Sequence, residues 1–174
     1  MNDVAALVDL LRRLAGRLPD ADLATLRSLL AARELEDLER SLIHKISYYG
    51  IELTPPERAI LPGVDAGPMP GRTVPTPRFA AADPDGSPAE NDLLNRAVGR
   101  PGLRRIVKAR RLPGAERVLY VVVCAAGTDV SRLQNALEVD ALVEVVAEDE
   151  QLPPYQAAAL AAGRQLWPTD PHLR

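Results

Sequence analysis

The C-terminal half of the chain is organised around RVLYVVVCA, residues 117–125. Apolar side chains fill almost every position of this run, whereas a strand with one face in water alternates between polar and apolar residues. Unbroken apolar character predicts a strand that is buried on both faces. We therefore expect residues 117–125 to form the central strand of a sheet and to bury Cys124.

Two further strands are predicted beside this central strand. Residues 103–111 should pair with it antiparallel, through a turn at Pro113-Gly114, and residues 142–147 should run parallel to it after a right-handed helical crossover. Three helices should cover the sheet, beginning after Ser87, after Asp129 and at Pro153, and the last is predicted to continue to Trp167. The predicted order is α-β-β-α-β-α with a three-stranded mixed sheet.

The N-terminal part of the chain is leucine-rich and has helical spacing. Its apolar residues recur every three or four positions, as an amphipathic helix requires, in stripes that include Leu7, Leu11, Leu14, Leu26, Leu38, Leu42 and Ile46. A turn is expected near residues 32–34, and Gly50 suits the left-handed residue that ends a helix. Thr54-Pro55-Pro56-Glu57 predicts a capping box that starts a short helix. A small helical bundle is therefore predicted.

A segment rich in proline and glycine separates these two parts. The predicted class is α+β, with a helical module at residues 1–61, a linker at 62–86 and a small mixed-sheet module at 87–174. The prolines are expected to make the linker a stiff spacer, with presentation of a polyproline II segment as the alternative. A module of about 60 residues buries only about 60% of its unfolded surface, so we expect the helical module to gain stability by docking, by self-association or from a partner.

Composition bounds the function classes. The formal net charge is -3 and the sequence pI is about 5.5, which argues against a nucleic-acid footprint along the whole chain. A single cysteine excludes an intrachain disulfide and a thiolate zinc cluster. The first apolar stretch is interrupted by Asp9, Arg12 and Arg13, so we expect neither a signal peptide nor a membrane span, and a cytoplasmic protein.

One predicted helix face displays Asp37, Ser41, His44 and Tyr48 together, opposite the apolar stripe. A catalytic triad fails on spacing, because seven residues place Asp37 and His44 about 10.5 Å apart along a helix, too far for a carboxylate to orient the ring. A histidine and a tyrosine at helical spacing do offer amphipathic contact area. We interpret this face as a partner-binding surface.

Positive charge is concentrated in the first predicted strand of the sheet, at Arg104, Arg105, Lys108, Arg110 and Arg111. This strand is predicted to be an edge, where basic side chains prevent sheets from pairing with one another. The same residues could bind an acidic protein partner. Nucleic acid is the alternative, although Tyr120 is the sole aromatic residue nearby that could stack on a base.

No constellation in the sequence predicts catalysis, a metal or a cofactor. Nucleophilic use of Cys124 would need a paired base, and the only histidines are His44 and His172. The carboxylates at Glu144 and 148–150 lack calcium-loop spacing and a nearby histidine. Residues 127–129 lie where α/β sheets often bind ligands, but they form no phosphate-cradling run.

The sequence therefore favours a non-enzymatic regulatory or adaptor protein that acts through protein–protein contacts, with no cofactor. Secretion adaptors, immunity or antitoxin proteins, and components of bacterial signalling or defence assemblies belong to this class. Two alternatives remain open. One is a nucleic-acid-binding regulator using residues 104–111, and the other is an enzyme with its site at the strand-to-helix turn 127–129.

Overall fold

The computed structural model describes residues 4–62, 64, 78–112 and 118–168. Contacts between residues divide the chain into residues 1–76, here unit 1, and residues 77–174, here unit 2. The described part of unit 1 is helical and that of unit 2 carries a mixed sheet, so the class is α+β.

Unit 1 contains four helices in its described part: α1 (Val4–Leu14), α2 (Asp20–Ala31), α3 (Leu35–Tyr49) and α4 (Pro55–Ile60). Their leucine stripes form its core, because side chains three and four positions apart share one helix face. The core residues include Leu7, Leu10, Leu14, Leu26, Leu38, Leu42 and Ile46, all fully buried.

The helix ends of unit 1 follow the predicted signals. A turn between α2 and α3 contains Arg33 with a φ of 62°, at the predicted position. Gly50 ends α3 in the left-handed region, with φ 59° and ψ 41°. Helix α4 begins with the predicted capping box, in which the Thr54 N–H donates to the Glu57 carboxylate over 2.8 Å. Local chemistry thus determines these boundaries.

Unit 2 contains helices α5 (Pro88–Ala97), α6 (Val130–Ala136) and α7 (Pro154–Ala162) among its described residues, and the strands β1 (Arg78–Ala81), β2 (Leu103–Leu112), β3 (Val118–Cys124), β4 (Leu142–Ala147) and β5 (Arg164–Trp167). Strands β2 and β3 are antiparallel, and β3 and β4 are parallel. Both pairings were predicted. In β3, every residue from Leu119 to Cys124 is buried, as its unbroken apolar pattern predicted.

The sheet is larger than predicted, with five strands in the order β1-β2-β3-β4 and β5 paired with β2. Strand β1 lies within the predicted linker 62–86, and β5 replaces the end of the predicted last helix. Helix α7 ends at Ala162 because Gly163 adopts an extended backbone, with φ -77° and ψ 167°. The chain then pairs Trp167 with Ile106.

The prediction that the basic strand is a sheet edge is wrong. Strand β2 pairs with β3 on one side and with both β1 and β5 on the other. Two short strands, each only four residues long, cover what the sequence predicted to be an open edge. Basic side chains on β2 therefore have no edge to protect, and each must be explained by the face of the sheet from which it projects.

The two faces of the sheet have different helices. Helices α5 and α6 contribute Leu93, Ala97 and Leu133 to a core with alternate residues of β2, β3 and β4, and Leu137 joins this core from the C-cap of α6. Helix α7 packs near the opposite face, where Gly163 leaves so little room that an added Cβ would lie 2.4 Å from Val107 Cγ1. These faces are called the α5–α6 face and the α7 face below.

Several predicted features lie outside the described residues. They are most of the proline-rich linker segment at 63–77, the turn at 113–114, Arg117 at the start of the predicted central strand, and His172. The division into modules at 1–61, 62–86 and 87–174 stays a prediction.

Candidate functional site

The predicted partner-binding face of α3 is exposed to solvent. Asp37 and His44 are exposed, Ser41 is half-buried, and the side chain of Tyr48 is 74% exposed. The His44 and Tyr48 rings stack with centroids 6.2 Å apart and planes inclined by 27°. Asp37 forms a 2.8 Å ion pair with Arg40, one helical turn away. The arrangement presents an aromatic pair to solvent.

Tyr49, the next residue along α3, has a different role. Its hydroxyl donates to the Asp22 carboxylate of α2 over 2.6 Å, and Lys45 Nζ donates to the same carboxylate. The hydrogen bonds from Lys45 and Tyr49 lower the pKa of Asp22, and the hydrogen bond to Asp22 raises the pKa of Tyr49. Tyr49 therefore joins α3 to α2, whereas Tyr48 contributes its ring to the exposed face.

Lys108 does not lie on an exposed basic surface. Its side chain is 1% exposed, on the α5–α6 face, and Nζ lies 2.7 Å from Glu90 Oε2 and 2.8 Å from Asp85 Oδ2. Burial by itself lowers the pKa of Lys108, but the hydrogen bonds with Asp85 and Glu90 outweigh it and leave the pKa raised. The ring of Tyr120 lies 5.8 Å below the ammonium. Lys108 is thus a charged member of the core.

The arginines of β2 project from different faces of the sheet because side chains alternate along a strand. Arg110 is exposed on the face that carries Lys108. Arg105 and Arg111 share the α7 face, where Arg111 lies over the Tyr155 ring at 5.8 Å. Arg104, beside an irregularity in the β2–β3 register, forms a 3.5 Å ion pair with Glu148. The five basic residues do not form one surface.

A cleft lies on the α7 face, at the edge of the sheet where the parallel strands β3 and β4 end. Its volume is about 320 Å³. The walls include Val123 and Val146 from the two strands and Leu160 from α7, and Arg104 and Arg105 of β2 also line the cleft. The carboxyl ends of parallel strands are where α/β sheets commonly bind ligands.

This cleft was not predicted from the sequence. Its walls combine residues from β2, β3, β4, α7 and β5, so no local sequence motif predicts it. Leu160 and Gln165, which both line the cleft, were predicted to belong to one continuous helix. The only signal in the sequence was the adjacent basic pair Arg104 and Arg105.

Cys124 is fully buried, and its thiol donates to the Val146 carbonyl oxygen over 3.3 Å. The predicted burial of this cysteine is confirmed. A neutral carbonyl acceptor does not stabilise a thiolate as a nearby cation would. The candidate base His172 lies outside the described residues.

The strand-to-helix turn at 127–129 is engaged with its own chain. Asp129 accepts a hydrogen bond from the Arg132 N–H over 3.0 Å and so caps α6. Thr128 lies against Gly102, where an added Cβ would be 2.8 Å from the threonine hydroxyl. The position that an anionic ligand would take at this helix terminus is therefore occupied by the carboxylate of Asp129.

The acidic residues near the end of β4 are separated by the structure. Glu144 is buried on the α7 face, where it accepts a 3.1 Å hydrogen bond from Gln156 of α7, whereas Glu148, Asp149 and Glu150 are exposed. Within the described ranges, no three His, Cys, Asp or Glu side chains are grouped so that they could hold a metal ion.

Comparison with protein-family models, curated proteins and solved structures returns no match to the chain. A search of the described helices for membrane spans finds none of sufficient length and apolar character.

Proposed function

We propose that the chain is a non-enzymatic binding protein that acts through protein–protein contact, with the Asp37, Ser41, His44 and Tyr48 face of α3 as the contact surface. The observation that carries this proposal is the 74% exposure of Tyr48 beside a stacked His44. Tyrosine is enriched among the residues that dominate binding energy at protein interfaces, because it buries a large rigid ring and retains one polar group.

The surroundings of the candidate nucleophiles support the non-enzymatic part of the proposal. Cys124 is buried against a carbonyl oxygen, and Ser41 shares its helix with an exposed His44 whose neighbour is an aromatic ring. A serine or cysteine nucleophile needs a base that is itself oriented by a third group. The Asp37 carboxylate is paired with Arg40 instead.

The nucleic-acid alternative is less well supported than the sequence suggested. Lys108 is neutralised inside the core by two carboxylates, and Arg105 and Arg110 project from opposite faces of the sheet. A phosphate backbone would therefore meet fewer cations at once than the sequence implied. Because each phosphate contact adds to the affinity, few cations on one surface should give weak binding to a DNA duplex at physiological salt.

The proposal is tested by placing a photo-crosslinking amino acid at position 48 of the full-length protein in its native cells. We expect one discrete crosslinked product from position 48, and none from the matched position Ser28, which is exposed on α2 of the same unit. The partner identified in the crosslinked product is then purified by itself and used as the probe for binding measurements.

Binding of that partner should weaken at least about tenfold in Tyr48→Ala, the loss expected of a tyrosine at the centre of an interface. Ser28→Ala should bind normally, and both variants should keep the wild-type melting temperature. Equal crosslinking from positions 28 and 48, or wild-type affinity in Tyr48→Ala, would remove α3 as the contact surface.

A further inference from the structure

We propose that the cleft on the α7 face of unit 2 is a binding site for a small organic carboxylate with a branched aliphatic body. The site lies outside unit 1, so the proposal is independent of the role assigned to α3. It depends on three features: the volume of the cleft, its apolar walls, and the two arginines that line it.

The apolar part of the cleft suits a short hydrocarbon chain. Val123 and Val146 contribute methyl groups from the ends of β3 and β4, and Leu152 and Leu160 contribute isobutyl groups from beside and within α7. A volume of about 320 Å³ lies at the lower end of the range for small-molecule pockets, which is about 300–1,000 Å³. The space suits a ligand of few heavy atoms.

The charged part of the cleft suits an anion. Arg105 is exposed and has no ion-pair partner among the residues that the structure describes. Within the described ranges, Arg104 pairs only with Glu148, at 3.5 Å, and both side chains of that pair are about half exposed. The distance between Arg104 and the Glu148 carboxylate is longer than a charge-assisted hydrogen bond, so this pair is weak. A ligand carboxylate could replace the Glu148 carboxylate and form two hydrogen bonds with the guanidinium of Arg104.

The acidic residues beside the cleft favour a singly charged head group. Glu148 lines the cleft, and Asp149 and Glu150 follow it on the exposed side of the turn after β4. A phosphate dianion would be repelled by these carboxylates more strongly than a monoanion would. A carboxylate also matches the planar fork of an arginine in a bidentate pair. These charges therefore select a carboxylate over a phosphate.

The test is a titration of the isotope-labelled full-length protein with 4-methylpentanoate, followed by NMR. The amide signals of Val123, Val146 and Ala147 should shift, with a dissociation constant on the order of 1 mM for a probe of this size. The neutral analogue 4-methylpentanamide tests the charge requirement, and inorganic phosphate tests the apolar requirement. Both should bind at least about tenfold more weakly.

Matched variants assign the effect to the cleft. Arg105→Gln should weaken binding of 4-methylpentanoate about tenfold or more, since it removes a charge-assisted contact. Arg110→Gln, which removes an exposed arginine from the other face of the same strand, should bind as the wild type does. Glu148→Gln should bind about two- to fivefold more tightly, because Arg104 loses a competing carboxylate.

Three results would overturn the proposal: no shift of the cleft amides at 20-fold the expected dissociation constant, equal binding of the amide or of phosphate, or wild-type affinity in Arg105→Gln. Arg105 is exposed, so its substitution should leave the fold intact. An unchanged melting temperature of the variant confirms that a loss of affinity comes from the lost guanidinium.

Discussion

Each unit buries a glutamate from the first turn of a helix, which accepts a backbone N–H at or just before the N-cap, but the two glutamates pair with different cations. In unit 1, Glu57 accepts the Thr54 N–H with Oε2 and binds Arg17 with Oε1, over 2.8 and 2.7 Å. In unit 2, Glu90 accepts the Gly86 N–H with Oε1 and binds Lys108 with Oε2, over 3.1 and 2.7 Å. Each glutamate joins the start of its helix to a residue distant in sequence.

The difference lies in the surroundings of the cation. Arg17 is 18% exposed and also donates to the Glu52 carbonyl oxygen, so it can keep a polar partner if Glu57 changes. Lys108 is 1% exposed and depends on Glu90 and Asp85. Breaking a fully buried pair costs far more than breaking a partly hydrated one. A glutamate in the first turn thus marks a helix start in both units, but the burial of its cation determines its energetic importance.

The largest effect is expected from Lys108→Met, which keeps the hydrocarbon part of the side chain and leaves Glu90 buried without a cation. We expect the free energy of unfolding of unit 2 to fall by about 3–5 kcal/mol. Urea unfolding monitored by the fluorescence of Trp167, the sole tryptophan, measures it, since Trp167 lies in β5 of unit 2.

Arg110→Met on the same strand is the control and should change the stability by less than about 0.5 kcal/mol, as exposed substitutions do. Adding Glu90→Gln to Lys108→Met should recover part of the loss, because the uncompensated charge is removed while the acceptor for Gly86 remains. A double variant that is no more stable than Lys108→Met would show that burial of charge is not the cause.

The second prediction separates packing from charge beside Lys108. A methyl group at Gly163 would lie 2.4 Å from Val107 Cγ1 and 3.0 Å from the Lys108 carbonyl oxygen. Gly163→Ala should therefore destabilise unit 2 by about 1–3 kcal/mol through overpacking, with the charges unchanged. Gly86→Ala, which adds a methyl group to open space at a φ of 60°, should cost about 1 kcal/mol in the same fluorescence assay.

The third prediction concerns the unit 1 member of the comparison. Glu57→Gln keeps an acceptor for the Thr54 N–H and removes the charge beside Arg17, so unit 1 should lose about 1–2 kcal/mol. Hydrogen exchange of unit 1 peptides measures this loss. Glu52→Gln is the matched control, because Arg17 contacts the backbone carbonyl of Glu52. A loss in Glu57→Gln equal to that in Lys108→Met would abolish the proposed difference between the units.

The smallest effect is expected from pH. Hydrogen bonds from Lys108 and Ser87 hold the pKa of Asp85 well below its usual range. A carboxyl group with a lowered folded pKa adds stability above its ordinary pKa of about 4, and this contribution is lost as the pH falls. The raised pKa of Lys108 has the opposite sign: its contribution is present below about pH 10.4 and is lost as the pH rises through the folded value.

Unit 2 should therefore show a plateau of stability between about pH 5 and pH 10, with a decline at each end. In Asp85→Asn the acid decline of the Trp167 signal should become shallower. The corresponding carboxyl in unit 1 is Asp22, whose pKa is also lowered, so Asp22→Asn should affect the acid decline of unit 1 peptides. An acid decline of unit 2 that is unchanged in Asp85→Asn would exclude this group as its source.

The elements that follow from local chemistry could be predicted. The capping signals at Thr54 and Ser87, the left-handed Gly50 and the unbroken apolar run of β3 each carry their own structural information. Strands β1 and β5 could not be predicted, because four-residue strands gain their stability from pairing with β2. Without them β2 looked like an edge, and Lys108 looked like a surface residue.

The candidate sites differ in the same way. The grouping of four residues on one face of α3 could be predicted, because helical periodicity is visible in a sequence. Their binding of a partner stays a proposal. The cleft could not be predicted, because Arg105, Val146 and Leu160 come together only when β2, β4 and α7 pack. The partner of Glu90 was hidden for the same reason, since 18 residues separate it from Lys108.

The burial of Lys108 makes this residue inaccessible to lysine-directed reagents and enzymes in the native chain. The sequence contains only Lys45 and Lys108 as lysines, and Lys45 is part of the Asp22 network on α3. A lysine-specific endoprotease can cut after Lys108 only when β2 leaves the sheet, so its cleavage rate measures how often unit 2 opens. Burial likewise protects this amine from acylation, so the rate of acylation at Lys108 reports how often unit 2 unfolds locally.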